Sequence, residues 1–223
     1  MRLFARLSAL LFPEKCVLCG QILQKDELDL CRECRIHQPD HPVSRDKYPY
    51  LDSWIALWDY QDAVRRSLLR YKFYGRQSYA SAYGRLLAMK LLREGREDVD
   101  VLTWIPISEK RRKKRGFDQV ELLAEKVAPQ LQLPAYPLLW KRRDNPQQSK
   151  IVGHAQRRAN VLGAYEAINR ERIAGKRILL LDDILTTGAT AGECARILLE
   201  AGAKEVHFAA IAAARKKNQD RKV

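Results

Sequence analysis

Residues Arg177 to Leu181, RILLL, run into Asp182 and Asp183. They are followed by TTGAT, an amphipathic helical pattern to Ala201, a glycine, and the apolar stretch EVHFAAIAAA. No other part of the chain constrains the fold as strongly. An apolar run without alternation is a strand buried on both faces, and two such strands joined by a helix lie parallel in one sheet. Earlier segments repeat the theme. SWIALWDY (Ser53 to Tyr60) and VDVLTWIPI (Val99 to Ile107) read as strands. Val64, Leu68 and Tyr71 recur at helical spacing, as does the segment SYASAYGRLLAMKLLREG, and so do Val120, Leu123, Ala124 and Val127. A further short helix is expected around Gln156 to Val161. The predicted fold class is α/β, a mostly parallel sheet flanked by helices.

In such a sheet, ligands bind outside the carboxyl ends of the strands, where the following loop presents backbone N–H groups and the positive end of a helix dipole. Asp182, Asp183, Thr186, Thr187, Gly188, Ala189 and Thr190 fall at that place. The threonine hydroxyls are donors, and glycine admits a close approach of the backbone to a phosphate. The two carboxylates would repel a phosphate. They fit if they accept hydrogen bonds from sugar hydroxyls or hold a Mg2+ that bridges to them. A ribose 5-phosphate unit satisfies both halves of the loop.

Cys16, Cys19, Cys31 and Cys34 form two C-x2-C pairs separated by eleven residues. Two such pairs can supply the tetrahedral sulfur shell of a structural Zn2+, with two disulfides or a redox-active pair as alternatives. The polar segment HQPDHPVSRDKYP then reads as a linker. It divides the chain into residues 1–45, an N-terminal helix carrying Leu3, Leu7 and Leu10 plus the four-cysteine module, and residues 50–223, the main domain. The apolar runs fall short of the roughly 20 residues that cross a bilayer, and the N-terminus has no small-residue cleavage site, so a cytoplasmic protein with reduced thiols is expected. The remaining Cys194 shares an apolar helical stripe with Ala191, Ala195 and Leu198, as a buried hydrophobe would.

With 41 Lys and Arg against 27 Asp and Glu, the formal net charge of +14 draws polyanions without choosing among them. The stretch VRRSLLRYKFYGR mixes Arg65, Arg66, Arg70, Lys72 and Arg76 with Tyr71, Phe73 and Tyr74. That mixture can track phosphates and stack unpaired bases, although aromatic residues at this spacing also serve as core. There is no G-x4-G-K-[ST] segment for an ATP-driven motor. His37, His41, His154 and His207 read as surface or satisfied residues, and no nucleophile or general base stands out.

Residues Ile178 to Thr190 resemble the phosphoribosyl pyrophosphate (PRPP) motif of type I phosphoribosyltransferases. RYKFYG, IPISEKRRKKRGFDQ, NPQQSK and QRRANVLGAY follow in order behind a four-cysteine module, and together they are similar to the ComF/GntX family. These are bacterial amidophosphoribosyltransferase-like proteins, some of them tied to DNA uptake in natural transformation. The resemblance implies a type I phosphoribosyltransferase fold with Asp182 and Asp183 on the ribose hydroxyls, directly or through Mg2+, and Thr186 to Thr190 on the 5-phosphate. It places the pyrophosphate loop at Ile107 and Ser108, with Lys110, Arg111 and Arg115 as further candidates, and makes NPQQSK part of a closing loop. Two positions depart from the family pattern. Asp118 stands where the family usually has asparagine, and LDDIL where it more often has VDDV. Two functions follow: a Mg2+-dependent enzyme acting on PRPP, linked to competence and the DNA-uptake machinery, or a catalytically inactive PRPP- or nucleotide-sensing scaffold that binds single-stranded DNA. The acceptor is not spelled out by any motif.

Overall fold

Four strands make one parallel sheet in the order β1-β6-β5-β2, with β1 at Ser53–Asp59, β2 at Val101–Trp104, β5 at Arg177–Leu185 and β6 at Glu205–Ala213. The computed structural model describes residues 13–44, 46–94, 98–145 and 159–215. The expected N-terminal helix, NPQQSK beyond Asn145, and the first residues of the helix expected around Gln156 to Val161 lie outside the described residues.

The pleat explains the uninterrupted apolar runs. Ile55, Leu57, Leu179, Leu181, Ala209 and Ile211 feed one core, shared with helices α2 (Asp62–Phe73), α3 (Tyr79–Arg93) and α5 (Gln119–Gln130). Their alternating neighbours, Trp54, Ala56, Ile178, Leu180, Phe208 and Ala210, feed a second core. That core is closed by α6 (Ala189–Glu200) and by an antiparallel pair, β3 (Leu139–Lys141) with β4 (Tyr165–Ala167). On the first side, α3 lies close against α5 at Gly84, where a Cβ would stand 3.1 Å from the carbonyl carbon of Lys126.

Two expectations shift. β2 is shorter than the expected Val99 to Ile107, and β5 continues through the acids to Leu185 instead of ending at Leu181. Register explains the second: β5 stays paired with β6 as far as Leu185 opposite Ala213, so Asp182 and Asp183 are strand residues. The basic run is helical as well, α4 (Glu109–Arg115), capped by the Ser108 hydroxyl and ended by Gly116 in the left-handed region at φ 84°.

The cysteine module, with its short helix α1 (Arg32–Ile36), is not a separate bead. Cys16, Val17, Leu18, Leu30 and Cys31 belong to the same core as α2 and α3. Between the two, the segment read as a linker is tethered: Asp40 bridges Trp58, and His41 Nδ1 lies 2.6 Å from Asp59 Oδ1 at the end of β1.

Candidate functional site

β2 and β5 are parallel neighbours, so the loops leaving their carboxyl ends lie side by side. Trp104 pairs with Leu181, and the N–H of Ile105 donates to the Leu181 carbonyl at 2.9 Å. Residues 105–108 therefore start beside the acids. Beyond β5, Gly188 takes a left-handed conformation (φ 73°) and opens α6 at Ala189. A cleft lined by Asp182, Thr186, Thr187, Gly188, Ala189 and Thr190 lies at this turn. The first-turn N–H groups of a helix have no intrahelical partner, so such a turn offers free donors to an anion. The ring of Tyr48 is packed where a side chain on Gly188 would have to go.

The two carboxylates diverge with the strand pleat. Asp183, only 6% exposed, turns toward α2 and α5. Its Oδ2 accepts from Gln119 Nε2 at 2.6 Å and pairs with Lys72 Nζ at 2.8 Å, and Arg115 donates to the other end of the Gln119 amide. Asp182 belongs to the α6 side, where Lys141, Tyr165 and Cys194 feel its charge. Burial, together with the Asp183 carboxylate, pushes the Asp182 carboxyl well above the usual range.

The β2–α4 loop is held by Asp118, the departure from the family pattern. Its Oδ2 accepts from Ile107 N at 2.9 Å, while Oδ1 caps α5 by accepting from Val120 N at 2.8 Å and Glu121 N at 3.3 Å. A carboxylate therefore joins the loop to the helix through its two oxygens. Because the basic run is helical, Arg111 and Arg115, four residues apart, share a partly buried face, while Lys110, Lys113 and Lys114 are exposed. Arg111 Nε lies 3.4 Å from Asp144 Oδ1, and its guanidinium also donates to the Asn145 carbonyl. Ser108 Oγ donates to the same carboxylate oxygen at 2.5 Å. Of the pyrophosphate candidates, the structure brings Ile107, Ser108, Arg111 and Arg115 to this end of the sheet and leaves Lys110 exposed.

Sequence reasoning missed several members of the site. Gln119 was within reach, since it ends the quoted RGFDQ. Lys141 was not: it ends a three-residue strand and is followed by Arg142, Arg143 and Asp144, yet it is 8% exposed and donates to Tyr165 OH at 2.9 Å. Burial, then Arg111, pulls its ammonium down to about 8.

At the module, the four sulfur atoms all lie within 4.8 Å of one another, and Cys19 Sγ is 3.7 Å from Cys31 Sγ. Four thiolates at about 2.3 Å from one zinc ion stand about 3.8 Å apart, so the cluster fits a tetrahedral metal. Disulfide sulfurs would be at about 2.05 Å. Cys194 is fully buried, as expected of a hydrophobe.

Residues 121–223 match the phosphoribosyl transferase domain, the part of the chain that contains β5, the cleft loop, α6 and β6. The competence protein ComFC of Bacillus subtilis (strain 168) is 32% identical over 205 residues, covering 86% of this chain and 82% of its own. This chain belongs to the ComFC family. ComFC of Streptococcus pneumoniae (strain ATCC BAA-255 / R6) is 30% identical over 223 residues, with 86% of this chain and 96% of that protein covered. The DNA utilization protein YhgH of Escherichia coli (strain K12) is 26% identical over 86% of each chain. With the domain match, the parallel sheet flanked by helices is the type I phosphoribosyltransferase fold behind an N-terminal cysteine cluster.

In this ComFC-family chain the stretch VRRSLLRYKFYGR is divided by the face of α2. Tyr71 is fully buried, and its hydroxyl donates to the Gln119 carbonyl at 2.5 Å, so it is core and cannot stack on a base. Arg70 donates to the carbonyls of Val17 and Leu18 in the first cysteine knuckle, and Lys72 pairs with Asp183. Arg65, Arg66, Phe73, Tyr74 and Arg76 remain exposed. Among the described residues, no helix is long and apolar enough to cross a membrane.

Proposed function

We propose that this protein binds PRPP with Mg2+ and acts as a phosphoribosyltransferase-like enzyme serving DNA uptake in the cytoplasm. One observation carries the proposal: the cleft at the start of α6 and the Ile107–Ser108 loop flank an acidic pair at the same carboxyl edge of the sheet. The order of these parts suits a molecule with a phosphate at one end, a diol in the middle and a diphosphate at the other. Thr186, Thr187, Thr190 and the α6 N-terminus would bind the 5-phosphate. Asp182 would accept from a ribose hydroxyl, and Arg111 and Arg115 would hold the diphosphate. Cleavage at C1 passes through an oxocarbenium-like state with negative charge growing on pyrophosphate, which two guanidiniums at the β2 side stabilise more than they stabilise the ground state. Mg2+ would add charge neutralisation on the diphosphate oxygens. Zn2+ in the four-cysteine cluster would be structural, since four sulfur ligands leave no open position.

The competence and DNA-utilization names of the relatives favour the role in DNA uptake. Calorimetric titration of PRPP with Mg2+ tests the site. The native chain should bind, and Asp182→Asn together with Asp183→Asn should not; a folded native chain that ignores PRPP would refute the proposal. Binding without pyrophosphate release to any base, amine or water would make the protein a PRPP sensor.

A second activity is favoured by the exposed pair Phe73 and Tyr74, 57% and 73% accessible, among Arg65, Arg66 and Arg76. This surface would take single-stranded DNA. Phe73→Ala with Tyr74→Ala should weaken it by about 1–3 kcal/mol per lost stack, and native affinity should fall steeply with salt. Salt-independent binding would argue against it.

A further inference from the structure

The acidic pair already has a cation. Asp183 is buried, and a carboxylate removed from water needs a neutralising partner. Lys72 supplies it at 2.8 Å, with Gln119 on the same oxygen at 2.6 Å. Oδ1 of Asp183 accepts no hydrogen bond from the described residues. The lysine is not a loose surface chain: its side chain is only 16% exposed. The turn of α2 that carries it is fixed on one side by Tyr71 on the Gln119 carbonyl and on the other by Arg70 on the Val17 and Leu18 carbonyls. At the next residue, Phe73, whose ring stays largely exposed, the Arg115 guanidinium carbon lies 4.9 Å from the ring centroid.

Building on the phosphoribosyl reading above, we propose that Lys72 is the resident cation of the ribose subsite. Its ammonium sits against Asp183 where a divalent ion would otherwise bridge the acid to the sugar, leaving Oδ1 of Asp183 to accept directly from a ribose hydroxyl. A second cation at that oxygen would be repelled by the first. The two ends of the site therefore differ in metal requirement. Sugar and 5-phosphate bind without Mg2+, and Mg2+ acts only on the diphosphate. Lys72 is a positioning residue, since it reaches the ligand through Asp183.

Ribose 5-phosphate, which has no diphosphate, separates the two ends. Calorimetry with the full-length, zinc-loaded chain should give the same affinity within twofold in EDTA-free buffer with or without added Mg2+, while PRPP binding strengthens with Mg2+. Lys72→Met should weaken ribose 5-phosphate on the order of tenfold without Mg2+, because the Asp183 carboxylate loses the charge-assisted contact that holds it for the sugar. Added Mg2+ should restore part of that loss, and Lys72→Arg should restore most of it without metal. Native binding of ribose 5-phosphate that depends on Mg2+ would overturn the proposal, and so would Lys72→Met binding as tightly as native in both buffers. The native comparison alone decides the matter if the variant does not fold. A folded native chain that binds neither ribose 5-phosphate nor PRPP would instead bring down the phosphoribosyl reading itself.

Discussion

Gly188→Ala joins backbone, packing and ligand binding at one position. Gly188 is left-handed at φ 73°, and a Cβ there would stand 2.6 Å from Tyr48 Cε1 and closer still to Cδ1. A left-handed alanine costs about 1 kcal/mol. Tyr48 is 6% exposed and packed edge-on against Trp54 at 5.4 Å, so it has little room to retreat, and overpacking of this kind costs about 1–3 kcal/mol. Together the change should cost about 2–4 kcal/mol. For a chain of this size that lowers Tm by roughly 5–15 °C. The loop would also be pushed out of register with the α6 N-terminus, so PRPP affinity should fall. Thermal unfolding followed by circular dichroism reads the first effect and calorimetry the second. A double-mutant cycle with Tyr48→Ala isolates the clash: the pair together should cost less than the sum of the single changes by the overpacking part, about 1–3 kcal/mol. Costs that add within about 0.5 kcal/mol would refute the packing argument.

Asp118→Ala should cost about 2–4 kcal/mol in chemical denaturation, because it removes the α5 cap and leaves Ile107 N–H without its acceptor; Asp118→Asn keeps the cap and should cost only about 1 kcal/mol. Lys141 has a folded pKa of about 8, below its unfolded value, so the unfolded chain binds more protons above that pH. Stability from this group should therefore rise from about pH 8 toward pH 10.5. Lys141→Met should raise the unfolding free energy at pH 7 by about 3 kcal/mol, read by chemical denaturation, and abolish the rise. Stripping the metal with a chelator should release about one zinc per chain, free the four thiols to a thiol reagent, and weaken PRPP binding, because Ser67 and Arg70 of α2 hold the first knuckle through Val17 and Leu18. Unchanged PRPP affinity after complete metal loss would show that α2 keeps its place without the module.

By itself the sequence determined the parallel sheet, the cleft loop and the cysteine cluster. Each is written locally: RILLL and FAAIAAA are apolar at every position because both faces of the sheet are covered, TTGAT must open a helix next to a strand end, and C-x2-C is one knuckle turn. What only the tertiary structure decided involves residues far apart in the chain. The pleat of a strand that runs on to Leu185 sends Asp183 to Lys72 and Gln119 and leaves Asp182 on the opposite face. The helical period of α4 picks Arg111 and Arg115 out of KRRKKR, and that of α2 turns Tyr71 into core while Tyr74 stays in water. Lys141 is buried where β3 pairs with β4, opposite Tyr165, across an intervening segment. Composition and spacing register the side chain and its local period. Which partner neutralises a buried charge depends on which distant element the fold lays against it, and the surrounding core sets that placement before any single polar contact can.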